Sequence, residues 1–252
     1  MEIFGYRIPS AVSLLLWCGI WEIVGRYELV FIFPAFSGVL VEFWNLMGEG
    51  SFHRAAISTL RSFSYGMFFA VVGGVALGFL MGRVEAANRL LGMWVNIFAS
   101  APLSSLVPVL MLLFGLGQTT IIITVVLFAI WIITLDTTAG VRHVSKSLVE
   151  MGQSFGATRW QLLYKIIFWA ALPEILAGIR MGFIRAVKGV VIGQLLVSII
   201  DFGRMFTTFS RNLYMEEFWA LTLVLFIFAL TISFLIGELE KRVDYYASQR
   251  QT

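Results

Sequence analysis

Charged side chains inside an apolar run are the residues of this chain best placed to act on a solute. Arg180, Arg185 and Lys188 lie within the apolar run of residues 174–200, which also contains Gln194. A charge inside a bilayer is costly, so such residues normally face a water-filled cavity or an opposite charge. The run is therefore a candidate for the wall of a transport pathway.

Two interpretations of these charges remain open. In the first, Arg185 and Lys188 share one helix face, line a pathway and favour an anion. In the second, the cations neutralise acids on neighbouring helices. Asp136, near the end of the preceding run, matches Arg180 in depth, so we predict that these two form a structural pair.

A second candidate for the pathway is an apolar run broken by prolines. Pro102 and Pro108 interrupt residues 90–114, and hydroxyl side chains close by can satisfy the carbonyls that proline leaves free. A purely structural kink is the alternative. The full set of candidate pathway residues is Ser104, Ser105, Arg185, Lys188 and Gln194.

The sequence gives no support for an enzyme active site. It contains no GxxxxGK[ST] phosphate-binding loop. His53 and His143 lie in predicted loops, and Cys18 is the single cysteine, which rules out a disulfide and a cysteine-based metal site within the chain. We therefore expect a transport subunit with no metal and no cofactor of its own. No basic cluster with interleaved aromatics suggests nucleic-acid binding.

The composition is that of an integral membrane protein. Of 252 residues, 59% are hydrophobic and only 13% are charged, and the mean hydropathy is +0.89. Runs of about 20 apolar residues can cross a bilayer. We predict a single all-α transmembrane domain over residues 1–252 with about six transmembrane helices. The predicted spans are residues 8–32, 55–81, 90–114, 119–141, 174–200 and 218–237, with an outer linker at 34–54, a loop at 145–173 and a tail at 238–252.

The loop cations predict the orientation. Most Lys and Arg residues outside the spans fall on the side of the termini and of residues 145–173. Because positive loops stay inside, we expect both termini and this loop in the cytoplasm, and the protein in the inner membrane. A separate pattern, Gly74, Gly78 and Gly82, puts a small residue at every fourth position and predicts close helix packing. The alternative is that these glycines are simply tolerated in a membrane helix and have no role in packing.

The segment Glu150–Pro173, EMGQSFGATRWQLLYKIIFWAALP, stands between two spans. It opens with an acid, turns at Gly156, continues as an amphipathic run and closes at Leu172-Pro173. Such a segment offers a surface outside the bilayer. An ordinary amphipathic surface helix is the alternative.

This segment resembles the cytoplasmic loop of permease subunits of ATP-binding-cassette (ABC) importers, which has the pattern EAA, three residues, G, and later I-x-LP. Met151-Gly152 replaces the two alanines. Three further stretches resemble the nitrate/sulfonate/taurine branch: Leu77–Gly82 (LGFLMG), Asp136–Arg142 (DTTAGVR) and Leu176–Ala186 (LAGIRMGFIRA).

The resemblance implies a type I importer permease fold, packed as a homodimer. It also implies two separate ATPase subunits that bind ATP and Mg, and a solute-binding protein outside. Glu150 in the first turn would complement the dipole of a coupling helix that ends at Gly156, and Pro173 would begin the fifth span. The residues implied in ATPase coupling are Glu150, Met151, Ser154, Phe155, Gly156, Ala157 and Arg159.

The function expected from these observations is ATP-driven import of a small organic anion, such as a sulfonate or carboxylate, or of nitrate. A stand-alone secondary transporter or channel is the runner-up, but it leaves the Glu150–Pro173 segment unexplained. A third alternative, a membrane anchor for a cytoplasmic enzyme, would not need broken and charged spans.

Overall fold

The chain is helical almost throughout. The computed structural model describes residues 2–3, 6–7, 10–197 and 199–248. The only strands among these residues are β1 (Glu2–Ile3) and β2 (Tyr6–Arg7), which pair antiparallel near the start. The predicted all-α fold is confirmed.

The helices follow one another with short connections. Their bounds are α1 (Ser10–Arg26), α2 (Phe36–Gly48), α3 (Gly50–Arg83), α4 (Glu85–Ser100), α5 (Val107–Phe114), α6 (Gln118–His143), α7 (Lys146–Ser154), α8 (Arg159–Gln161), α9 (Phe168–Val197), α10 (Asp201–Arg211) and α11 (Met215–Ser248). A 3-10 turn, Leu103–Leu106, separates α4 from α5, and a π-helical segment, Leu162–Ile167, joins α8 to α9.

Four helices of the described chain are long and apolar enough to cross a membrane: α3, α6, the helix Arg159–Val197, and Met215–Ile232 within α11. The segments Glu85–Ser100 and Leu103–Phe114 bend by 95° at their break, so they add a fifth span only if the bent pair crosses as one. The structure thus gives four or five spans where about six were predicted.

The first predicted span accounts for part of this difference. Helix α1 ends at Arg26 after 17 residues, short of the predicted residue 32. Glu28 adopts a left-handed φ of 48°, which ends the helix. The indoles of Trp21 and Trp219 donate hydrogen bonds to the carbonyls of Pro34 (3.0 Å) and Ile32 (2.9 Å), so side chains satisfy the non-helical backbone.

Helix α6 lies at the centre of the bundle, between α3 and α9. The predicted close packing of the α3 glycines is confirmed. A β-carbon added at Gly78 would lie 2.5 Å from Cβ of Thr137, and one at Gly74 would lie 2.9 Å from Cβ of Ile133. These glycines therefore accept the side chains of α6, as expected for helices that pack in lipid.

Glycines of α9 pack against the opposite side of α6 in the same way. A β-carbon added at Gly182 would lie 2.6 Å from Cγ1 of Ile133, and one at Gly178 would lie 2.7 Å from Cβ of Asp136. The buried cluster around Ile133 and Val190 fills the space between the three helices.

The helix that leads into α9 runs unbroken from Arg159 to Val197. Pro173 lies inside α9, five residues after its start. The prediction that Pro173 lies in the first turn of a helix is therefore wrong. Ile167, Ala171 and Ile175 pack in one buried cluster on both sides of the proline, and this burial outweighs the one missing N–H donor.

Candidate functional site: the loop between α6 and α9

A short helix followed by a tight reversal forms the loop that joins α6 to α9. Helix α7 ends at Ser154, and Gly156 adopts a left-handed φ of 74°. The N–H of Ala157 donates to the carbonyl of Gly152 (3.0 Å) and that of Gly156 to Gln153 (2.9 Å). These two bonds form a Schellman motif, which favours glycine at the left-handed position. The predicted turn at Gly156 is thus observed.

The next helix begins two residues after this turn, with a capping box. The N–H of Thr158 donates to Oε1 of Gln161 (2.8 Å), and the N–H of Gln161 donates to Oγ1 of Thr158 (3.4 Å). Together, the two motifs satisfy most backbone groups of the reversal. The loop is consequently a defined structure and not a flexible linker.

One face of α7 carries apolar side chains that the chain itself leaves uncovered. Leu148, Met151 and Phe155 are 40%, 50% and 86% exposed. Their spacing of three and four residues aligns them on one helix face. We call these three residues the docking stripe. Sequence reasoning missed Leu148, although the same spacing could have identified it.

The opposite face of α7 packs on the helix that follows it. Gly152 is buried, and a β-carbon there would lie 2.7 Å from Cδ2 of Leu162 and would also collide with Cδ1 of Ile166. The glycine that replaces an alanine of the family pattern therefore permits close packing. This contact fixes the angle at which the docking stripe is presented.

Glu150 lies in the middle of α7 and not in its first turn, because the helix already starts at Lys146. The predicted dipole interaction at the helix start is therefore wrong. The Glu150 side chain is exposed and forms no ion pair with any described residue. Ser154 and Arg159 are exposed too, and Ser154 Oγ donates to the carbonyl of Glu150 (3.0 Å).

The broken span brings together several of the candidate pathway residues. Ser104 and Ser105 lie exposed in the 3-10 turn, and Ser105 Oγ donates to the carbonyl of Pro102 (2.8 Å). Nη1 of Arg185, reaching across from α9, donates to the carbonyl of Ala99 (2.9 Å). This carbonyl lies at the C-terminal end of α4, where a cation also complements the helix dipole. Arg185 thus holds the broken end of α4.

Asp136 lies at the contact between α6 and α9, where the charge of Arg185 acts on it. Asp136 packs against Gly178. Seven residues separate Gly178 from Arg185, so both face α6, while Arg180 lies two residues from Gly178 on nearly the opposite face. The helical period thus places Gly178 and Arg185 on the face of α9 that meets α6, and the pairing of Asp136 with Arg180 stays a prediction.

The remaining two candidate pathway residues occupy different environments. Lys188 is exposed, about one helical turn beyond Arg185. Gln194 is only 2% exposed, and its Nε2 donates to Oγ1 of Thr59 on α3. Its Oε1 is buried with no hydrogen-bond partner. The structure therefore brings Arg185 to the break that carries Ser104 and Ser105, leaves Lys188 exposed on α9, and sets Gln194 apart inside the bundle.

Sequence reasoning also missed a polar network at the end of the bundle away from α7. Oγ of Ser58 donates to Oδ2 of Asp201 (2.8 Å), and Nε2 of Gln118 donates to Oγ of Ser58 (2.5 Å). The network joins α3, α6 and α10. Ser58 and Asp201 are 143 positions apart, so no local pattern reveals it.

Comparisons with known proteins agree with this architecture. The model of the family "binding-protein-dependent transport system inner membrane component" matches residues 74–245. The taurine transport system permease protein TauC of Escherichia coli (strain K12) is 25% identical over 249 residues, which cover 96% of this chain and 90% of that protein. The carnitine transport permease protein OpuCD of Listeria monocytogenes serotype 1/2a (strain 10403S) is 36% identical over 134 residues, 52% of this chain and 58% of that protein.

The fold has a solved counterpart. An inward-facing structure of the MetNI methionine ABC transporter aligns with a TM-score of 0.64 at 21% identity, covering 77% of this chain and 96% of the matched chain. The family match includes the central helices and the loop with the docking stripe. This chain therefore belongs to the family of inner-membrane components of binding-protein-dependent transport systems, and it is a permease subunit of an ABC importer with the type I fold.

Proposed function

We propose that this permease couples to a separate ATPase through α7 and forms the pathway for a small organic anion. The single observation that carries the coupling is the docking stripe, in which Phe155, the residue directly after α7, is 86% exposed at a helix end that the Schellman motif fixes. Large aromatic side chains that stand free on a rigid element are typical anchors of an interface. Glu150, exposed beside the stripe, is placed to pair with a cation of the ATPase.

Truncation of the anchor tests the coupling. Phe155→Ala should weaken association with the ATPase by roughly tenfold or more, since hot-spot aromatics contribute over 1.4 kcal/mol. The measurement is the amount of ATPase that co-purifies with the tagged permease in mild detergent, together with solute uptake by proteoliposomes. Phe31→Ala is the matched control, because Phe31 is 76% exposed but lies in the segment after α1. Equal ATPase recovery in both variants would refute the coupling.

The solute proposal rests on the charges near the break. Taurine, carnitine and methionine appear in the names of similar proteins, so the relatives leave the solute open. Each of these three solutes is a zwitterion that carries an acidic group beside a cationic nitrogen. Exposed Lys188 and half-buried Arg185 offer positive charge along one part of α9, which favours such a group.

The exposed cation is the better test, because Arg185 also holds the end of α4. Lys188→Gln should lower uptake of an anionic solute several-fold in assembled complexes with normal ATPase recovery. Arg211→Gln, at another exposed cation, serves as the control. Uptake that is equal in the two variants would contradict an anion pathway along α9.

The proposal extends to assembly and orientation. Each ATPase needs a docking helix, and this chain has one α7, which supports two permease copies with two ATPases, ATP and Mg being bound by the ATPases alone. A solute-binding protein would dock at the end of the bundle opposite α7. The cation-rich side supports cytoplasmic termini in an inner membrane. The intact mass of the purified complex distinguishes a homodimer from a pair with a related permease.

A further inference from the structure

An apolar groove lies on the outer surface of the chain, next to the loop that carries α7. It has a volume of about 470 Å³ and lies between α3 and the helix that begins at Arg159. Val75, Ala76 and Phe79 form one wall, and Leu163 and Phe168 form the other. Pockets of ~300–1,000 Å³ hold small ligands. The shape and the apolar lining suit a hydrocarbon chain.

A positive charge stands at one end of this groove. Arg83, the last residue of α3, is exposed and contributes to the lining. It forms no ion pair with any described residue. Two neighbouring cations differ from it, because Arg89 and Arg142 both contact the carboxylate of Glu85, at 3.4 and 3.2 Å. Arg83 is thus available for an anion from outside the chain.

Two aromatic side chains line the groove opposite Arg83, and a cation lies next to one of them. Trp160 and Tyr164 line the groove and are 75% and 56% exposed. Lys165 is exposed, with its Nζ 5.9 Å from the centre of the Tyr164 ring. Trp and Tyr are enriched at the level of lipid headgroups, and Lys and Arg attract anionic lipids there.

We propose that this groove binds one phospholipid with an anionic headgroup. One acyl chain lies along Val75, Ala76 and Phe79, and the phosphate region lies beside Arg83, with Lys165 close by at the Tyr164 ring. The apolar wall continues along α3 to Val72, which is 54% exposed, so the groove opens onto a further apolar surface of a predicted span. This continuity favours a lipid over a protein segment, and the charge of Arg83 favours an anionic headgroup. The lipid joins α3 to the helix that leaves the α7 loop, and so it stabilises the angle of that loop.

Lipid retention by the assembled importer tests this site. The complex is exchanged into nanodiscs of phosphatidylcholine with about one third phosphatidylglycerol, purified again in mild detergent, and its bound lipids are counted by native mass spectrometry. Wild type should retain phosphatidylglycerol in several-fold excess over phosphatidylcholine, per permease copy. Arg83→Gln should reduce this preference at least threefold.

Two further variants separate the headgroup from the acyl chain. Ala76→Trp fills the exposed groove without entering the core, and it should lower retention while Arg83 is intact. Arg89→Gln removes a nearby cation outside the groove and should behave like wild type. Equal retention of the two lipids by wild type, or unchanged preference in Arg83→Gln, would overturn the proposal. Loss of ATPase without loss of lipid in Arg83→Gln and Ala76→Trp would assign the groove to a protein partner instead.

Discussion

The two ends of the bundle satisfy their non-helical backbone in different ways. At the end away from α7, side chains satisfy one another within the chain: Trp21 and Trp219 lie with ring centres 5.3 Å apart, and each donates to a backbone carbonyl. At the α7 end, the backbone is capped but the docking stripe stays open. A rigid backbone under uncovered apolar side chains is the arrangement expected of a surface made for a partner.

The largest difference between the ends should appear when their left-handed glycines are replaced. Gly156→Val forces a β-branched residue into φ 74°, at a cost of at least ~1–2 kcal/mol. We expect solute uptake and ATPase recovery to fall about tenfold, since 1.4 kcal/mol of docking free energy is a factor of ten.

Gly115, with φ 79°, provides the matched control at the other end of α6. Gly115→Val should lower the melting temperature of the purified permease at least as much as Gly156→Val, yet leave ATPase recovery normal. A parallel loss of ATPase in both variants would mean that general instability, and not the α7 loop, explains the effect.

The stability contributed by the Ser58–Asp201 network at the opposite end should depend on pH. Burial raises the pKa of Asp201 above its ordinary value near ~4, although the Ser58 hydrogen bond and the charge of Arg204 act to lower it. The folded state therefore binds this proton more tightly than the unfolded state. Stability contributed by Asp201 is present at low pH and is lost as pH rises from the ordinary pKa through the raised one.

Two substitutions at Asp201 separate the effect of its charge on stability from the effect of its backbone conformation and hydrogen bond. Its φ of 51° favours Asn, which also keeps an acceptor for Ser58. Asp201→Asn should thus match or exceed the wild-type melting temperature at pH 7 and flatten its pH dependence. Asp201→Ala should destabilise the permease by about 1–2 kcal/mol through strain and the lost hydrogen bond. Thermal unfolding between pH 4 and 8 measures both, and a less stable Asn than Ala variant would contradict this account.

The smallest expected effect concerns how tightly α7 is held. Gly152→Ala places a methyl group against Ile166 and Leu162, at a cost of about 1 kcal/mol, because the ends of these flexible side chains can move. ATPase recovery should fall two- to fivefold. Ile166→Val removes the nearer of the two colliding atoms and should restore part of the recovery in the double variant, since Cδ2 of Leu162 remains. Recovery in the double variant no higher than in Gly152→Ala would show that this contact does not set the angle of the docking stripe.

Features that depend on neighbouring residues were predictable from sequence, and those that depend on distant pairs were not. The apolar runs located four long apolar helices, the glycine spacing identified the face of α3 that packs closely, and Gly156 located the reversal. Arg185 donates a hydrogen bond to a carbonyl 86 positions away in the sequence, and Gln194 donates one to a hydroxyl 135 positions away. The position of Pro173 was predicted wrongly, because the local propensity of proline favours the start of a helix. In the structure, the burial of Ala171 and Ile175 stabilises a helix that runs through Pro173.

The glycines that receive α6 limit how this permease can move. Ile133 and Thr137 of α6 pack directly on Gly74 and Gly78 of α3, and Ile133 also packs on Gly182 of α9. Sliding α6 along α3 would break all of these contacts at once. We therefore expect sliding of α6 along its neighbours to be unfavourable. In that case the three helices move together, and a displacement of α7 changes their tilt instead of their position along the axis.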